Sequence, residues 1–321
     1  ERTNATIKNC NVSNFYDGIR GYFTDRINLS DIEIYNSSQF GITFNNVPYS
    51  NLNNLSLINN ERAIEFQDQP DTNVTNSLIY NTQLMDYVNV DLLRLHGTNL
   101  FFENITIENI SAEYCSSFSA INVRDMSHSE FRNVVIKNMS NPGGCDSYYE
   151  ANGIYVSSYG YTYDNITFVN LDIQNVSDKS IYTPYAAEIN YVFDTENGTI
   201  SWQNKSAVDI NATSFVLGEQ VFIEENLLGL ADNELLSNLN STAQLIFKGL
   251  GHPAEPEILK NGVLCGEEEG CNVTYFNSQE DMLIVEVDSF SNYSTQLNLI
   301  DYEFSVEVGE NVTGSVGENV S

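Results

Sequence analysis

Residues 4–42 carry one pattern twice. Ile7 to Ile19 reads IKNCNVSNFYDGI, and Ile32 to Ile42 reads IEIYNSSQFGI. In each copy an alternating apolar run meets an Asn-rich turn, and a Gly-Ile pair opens the next run. Gly18-Ile19 recurs as Gly41-Ile42, and Ala63-Ile64 follows at nearly the same interval. A period of roughly 20–25 residues with a β pattern and Asn/Gly corners predicts a parallel β-helix, a solenoid in which each coil stacks on the last.

The pattern persists at Ala120-Ile121, Gly153-Ile154 and Ser180-Ile181, where the spacing between copies lengthens. Extra residues in a solenoid go into loops on one flank. Here those excursions contain Cys115 and Cys145, which read as neighbours able to pair. Cys265 and Cys271 bracket GEEEG and read as a small disulfide-closed loop. Cys10 is left odd: a small buried hydrophobe in the first coil, or a link to an upstream segment.

Near residue 190 the rhythm changes to short apolar runs separated by turn signals, which reads as antiparallel β. The sequence therefore predicts an all-β chain. A right-handed parallel β-helix covers residues 1–190, an antiparallel β-sandwich-like domain covers 191–307, and 308–321 form an extended tail, linker or donor strand. The stretch 224–239 reads as loop with at most a short helix.

Composition narrows function. The chain has 13 Lys and Arg against 44 Asp and Glu, a net charge of −31. Nucleic-acid binding needs clustered cations and is excluded. No stretch approaches the roughly 18 consecutive apolar residues of a membrane span. The first residue is Glu rather than Met, so the start reads as processed or trimmed. Among 43 Asn there are 19 Asn-X-Ser/Thr sequons, where chance gives about 7. This excess predicts an exported chain with covalent N-glycans. Expected carriers are Asn4, Asn28, Asn54, Asn73, Asn104, Asn165, Asn197, Asn204, Asn211, Asn240, Asn272, Asn292 and Asn311. For Asn36, Asn109, Asn138 and Asn175, which end successive runs at one corner with Asn59 and Asn81, an inward-facing stacked amide ladder competes equally with a glycan.

Four stretches resemble a known module: STAQLIFKGL (241–250), EILKNGVLC (257–265, preceded by Pro256), Cys271 with NVTYF, and VDSFSNYS (287–294). They are similar to a module of archaeal cell-surface proteins, where it follows β-helix repeats of the pectate-lyase-like and copper-periplasmic-repeat type. The resemblance spans roughly residues 205–295. It implies an exported, structural or adhesive protein and carries no catalytic residues.

Enzymes of the β-helix class make a polysaccharide lyase or hydrolase the main rival. Such chemistry needs clustered carboxylates with a nearby base, or Ca²⁺ with a proton-accepting Arg or Lys. The candidates are Arg94, His96, Asp86 and Asp91 in one group, and Arg124, Asp125 and His128 in another. Neither shows paired acids at coil spacing, Arg124 and Asp125 read as an exposed ion pair, and a polyanion would meet a surface of −31, so no catalytic residue is assigned. His252 lies in a Gly-Pro loop outside the solenoid. The acidic runs 267–269 and 224–225 offer carboxylates to Ca²⁺, but such loops are usually solvated, so no cofactor or metal site is assigned. Tyr148, Tyr149, Tyr155, Tyr159, Tyr161 and Tyr163 form an aromatic patch suited to a sugar or a protein partner. The expected roles are, first, a self-assembling surface-layer or filament subunit at the cell surface. The others are an adhesin gripping surface glycans or a partner, and the enzyme.

Overall fold

A computed structural model describes residues 4–84, 90–142, 145, 149–157, 164–183, 188–205, 210–231 and 234–297. The predicted all-β architecture is found. Most strands before residue 195 pair in parallel, each with the strand one coil later, and a twenty-stranded sheet runs through the described residues.

The Gly-Ile repeat marks one layer of the core. Ile19, Ile42, Ile64, Leu93, Ile121, Ile154 and Ile181 pair in register from coil to coil, and all are buried. A second interior stack is aromatic. The rings of Phe102, Phe131, Phe168 and Tyr191 follow one another at 4.9, 5.0 and 5.8 Å. The small residue before each isoleucine has a steric cause. A Cβ on Gly18 would lie 2.6 Å from the Gly41 carbonyl oxygen, and one on Gly41 would lie 2.8 Å from that of Ala63.

The abundance of Asn follows from the corners. A solenoid must turn sharply at the same place in every coil, and left-handed backbone is the tightest way to do so. Asn and Asp tolerate it better than other residues with a side chain. One corner uses Asn14, Asn36, Asn59, Asn81, Asn109, Asn138 and Asn175, with φ between 50° and 60°. The amides stack. Asn59 Nδ2 donates to Asn36 Oδ1 at 2.8 Å, Asn138 to Asn109 at 3.2 Å and Asn175 to Asn138 at 3.3 Å. This ladder is exposed, not inward-facing as the sequence suggested, because a left-handed corner turns the side chain out of the core. A second ladder, unforeseen from the sequence, runs along another corner. Asn54 donates to Asp31 at 2.7 Å, Asn104 to Asn76 at 3.0 Å, Asn133 to Asn104 at 3.1 Å and Asn170 to Asn133 at 3.3 Å.

The strand Ile189–Asp194 belongs to both halves of the molecule. It pairs in parallel with Asp164–Val169 and antiparallel with Gly198–Lys205. A domain boundary at 190 therefore falls inside a shared strand. From there the sheet continues antiparallel through Ala243–Lys248, Met282–Val287 and Cys271–Asn277. A second, five-stranded sheet orders Val221–Glu224, Leu227–Leu230, Tyr293–Gln296, Glu257–Lys260 and Val263–Leu264. Leu227–Leu230 lies in the stretch expected as loop. Its register with Val221–Glu224 around the Glu225-Asn226 turn makes it a hairpin strand, and a 3-10 turn follows at Glu234–Leu239. Trp202 is buried in this half, 4.9 Å from the Phe290 ring, with its indole N–H on the Leu239 carbonyl. The buried Tyr293 hydroxyl donates to the Ser289 carbonyl four residues back, as in the tyrosine corners of β-sandwiches.

The two solenoid ends differ. At the C-terminal end Phe215 and Ile210 bridge to Ile173 and Ile181, so residues 210–217 cover the last coil, and Leu217 bridges on to Val221 of the second sheet. At the other end Asn4–Ser13 pairs with Arg26–Tyr35 alone among the described strands. Ile7, Cys10 and Val12 are partly exposed, while their partners Leu29, Ile32 and Ile34 are buried.

Candidate functional site

Alternation along a strand puts the residue after each core isoleucine on the outer face. In register those residues are Arg20, Thr43, Glu65, Arg94, Asn122, Tyr155 and Tyr182. The coils thus line up one polar and aromatic row across the solenoid, at roughly 4.8 Å per step.

Two clefts open on this face. The first, of about 230 Å³, is lined by Asp91, Ser119, Asn122, Arg124, Glu150, Asn152, Tyr155 and Tyr182 among others. Asp91 is its buried centre. Ser119 Oγ donates to Oδ1 at 2.8 Å, and Asn122 Nδ2 and Arg124 Nη2 donate to Oδ2 at 2.6 and 3.2 Å. Burial raises the Asp91 pKa above the usual carboxylate value, against the pull of the Ser119 hydroxyl and the Arg124 guanidinium. Arg94 is held below the ordinary guanidinium value, first by burial and then by Arg124, and it pairs with the buried Glu65 at 3.4 Å.

The rim is aromatic. The Tyr155 and Tyr182 rings lie 5.5 Å apart, and Lys179 Nζ sits 3.7 Å from the Tyr182 ring centroid and 3.8 Å from Glu150. Asn152, 5% exposed, donates to Glu150 at 3.4 Å, while its carbonyl oxygen has no hydrogen-bond partner among the described residues. That oxygen can accept a hydroxyl or an N–H from a ligand in the cleft. A second cleft of about 280 Å³ is lined by Glu65, Asp68, Arg94, His96, Arg124 and Asp125, so the Arg124 side chain borders both. Asp68 lies 3.2 Å from His96 Nδ1.

The candidates named from sequence are partly brought together. Asp91, Arg94, His96, Arg124 and Asp125 converge on these clefts, and Arg124 reaches across strands to Asp91. His252 is elsewhere, with Nε2 2.9 Å from Thr295 Oγ1 in the second half. Of the tyrosines, Tyr155 lines the first cleft and Tyr149 is exposed. Asp86, Tyr148, Tyr159, Tyr161 and Tyr163 lie outside the described residues. Tyr182, Asn152, Asn122, Ser119 and Glu150 were missed by the sequence reading. The signal for Asn122 and Tyr182 was present: each follows a core isoleucine of the repeat. Arg20, Arg62, Arg94, Arg124 and Lys179 all come from the strands and turns of this face, five of the 13 cations in a chain of net −31. The face is therefore of mixed charge, and the global charge does not describe it.

The Cys115–Cys145 and Cys265–Cys271 disulfides are both formed, with Cα separations of 5.4 and 5.7 Å, and Cys10 is free. The first ties together the two loops beside the cleft. Asn4, Asn54, Asn73, Asn104, Asn165, Asn211, Asn240, Asn272 and Asn292 are exposed, whereas Asn28 and Asn197 are half-buried. The Asn204 side chain, Asn311 and the tail 308–321 lie outside the described residues. The acidic triplet 267–269 is exposed in a 3-10 turn.

Residues 1–90 match the family model described as "Right handed beta helix region". Comparison with curated proteins finds no match, and comparison with solved structures finds none. The matched region, the stacked coils and the two disulfides point to a secreted or extracellular protein of the right-handed β-helix type.

Proposed function

We propose that this chain is an extracellular, N-glycosylated surface protein that grips a saccharide in the cleft between Asp91 and Tyr182, an adhesin-type role. The observation that carries the reading is the in-register outer row, in which Glu65, Arg94 and Asn122 give way to the Tyr155–Tyr182 pair. Aromatic faces suit the apolar side of a sugar ring, and fixed carboxylate, amide and guanidinium groups suit its hydroxyls. Binding fits better than turnover because Asp91 already accepts three hydrogen bonds from the protein, which leaves it a poor proton shuttle. Glycan binding by the monomer should weaken at least tenfold in Tyr155→Ala and Tyr182→Ala. Binding that is unaffected by either change sinks the reading, and depolymerisation of a bound polysaccharide would replace it with an enzyme.

A second reading is a self-assembling subunit of an archaeal surface layer or filament. It is favoured by the strand Val263–Leu264, whose side chains are exposed and which among the described strands pairs only with Glu257–Lys260, since an exposed strand edge is a template for another chain. Electron microscopy of native material decides it: an ordered polymer or lattice supports this role, and free monomers reject it.

A further inference from the structure

Among the described sequons, some donate their side-chain nitrogen along the coils and others do not. Glycosyl transfer uses Nδ2: the bond from the sugar anomeric carbon to the phosphate of a lipid-linked oligosaccharide breaks, its electron pair leaves with the phosphate, the carbon–Nδ2 bond forms, and Nδ2 gives up one proton. In the coils this atom is engaged. Asn54, Asn104, Asn138 and Asn175 each donate Nδ2 along a corner ladder, and Asn73 donates to Asn51 at 3.1 Å in a third stack beginning at Asn28. The strands holding Asn54, Asn73 and Asn104 are paired on both sides. A sugar on such a nitrogen must share space with an amide roughly one coil step, about 4.8 Å, away.

Asn4, Asn11 and Asn272 belong to the sequons that donate no such bond. Asn4 and Asn11 lie on the first strand, which pairs on one side, and Asn272 lies on Cys271–Asn277, which among the described strands pairs only with Met282–Val287. All three are exposed, and their side-chain amides make no hydrogen bond among the described residues.

We propose that the stacked amides decide where this protein carries glycan: the sequons that donate Nδ2 along a ladder stay bare, and saccharide is attached at exposed sequons whose Nδ2 is not donated, Asn4, Asn11 and Asn272 among them. This rests on the reading of the chain as an exported glycoprotein.

Site occupancy on protein purified from its native source, measured by mass spectrometry of glycopeptides, tests it. Asn4, Asn11 and Asn272 should be mostly occupied, and Asn54, Asn104 and Asn138 at least fivefold less. Comparable occupancy in the two groups overturns the proposal while leaving the glycoprotein reading intact; no glycan anywhere overturns both. Asn76→Ala provides an independent arm. It removes the acceptor of Asn104 Nδ2 without altering the Asn104 sequon, so occupancy at Asn104 should rise severalfold. An unchanged value also overturns the proposal.

Discussion

Arg124 Nη2 lies 3.2 Å from Asp91 Oδ2, between neighbouring coils of the solenoid. The pair sits at the floor of the main cleft, with Asn122 and Ser119 completing the shell around the carboxylate. Removing Asp91 takes a buried hydrogen-bond acceptor from Arg124, Asn122 and Ser119 at once. We expect Asp91→Ala to cost on the order of 3 kcal/mol in chemical denaturation, with the double change to Arg124→Met recovering part of that loss. Strictly additive effects would show that the two side chains do not depend on each other.

Phe131 is sandwiched between Phe102 and Phe168 in the aromatic stack. Phe131→Ala should destabilise by about 3–5 kcal/mol, through lost transfer energy and the cavity left behind. Phe15, 59% exposed, should tolerate the same change within about 0.5 kcal/mol. Thermal or denaturant melts of the two variants provide the comparison, and equal losses would contradict the described core.

Asn133 combines a left-handed backbone, φ 52°, with a ladder hydrogen bond to Asn104. Replacement by Ala loses both favourable features and should cost about 1–2 kcal/mol from the backbone alone. Asn133→Gly keeps the backbone permissive and should cost less. If Gly proves as harmful as Ala in denaturant melts, the amide rather than the corner conformation carries the stability.

Burial, then the nearby Asp288, pushes the Tyr293 phenol up to about 12. The unfolded chain has the ordinary value of about 10. The folded state therefore holds the proton more tightly. The contribution is complete below about pH 10 and is lost as pH rises toward 12. Alkaline melts should fall across that window in the native protein and fall less steeply in Tyr293→Phe. Parallel curves would exclude Tyr293 as the titrating group.

Asp194 ties the shared strand to the sandwich. Burial raises its pKa, but the hydrogen bonds from Lys248, at 2.6 Å, and Thr199 outweigh this and hold it below the usual value. Its stabilisation is present above about pH 4 and is lost as pH falls through the folded-state value. The carboxylate is half-exposed, so the effect is small. Asp194→Asn should flatten the acid limb of the stability curve, and an unaltered limb would assign that loss to other carboxylates.

The coil period, the Gly-Ile core layer, the Asn59-type corner and both disulfide pairings were legible because each is local or strictly periodic. Ile19 and Ile181 occupy one column, and counting coils suffices to place them there. The ladder through Asn53, Asn76, Asn104 and Asn133, with the Asn54–Asp31 pair beside it, was hidden because its members sit mid-run, where an Asn reads as an outward strand residue. The 210–217 cap was hidden for another reason: an apolar run does not reveal which sheet it will complete.

What the sequence by itself determined is the solenoid: a repeated side-chain pattern has one stacked solution, and its alternation assigns the inside and outside of every strand. Only the tertiary structure decided the site. Asp91, Ser119, Asn122, Arg124 and Asn152 come from three successive coils whose spacing varies with loop length, so their meeting depends on the register of strands a full coil apart in sequence. The same register closes the Asn ladders and leaves Asn4, Asn11 and Asn272 free, a difference that identical-looking sequons do not show.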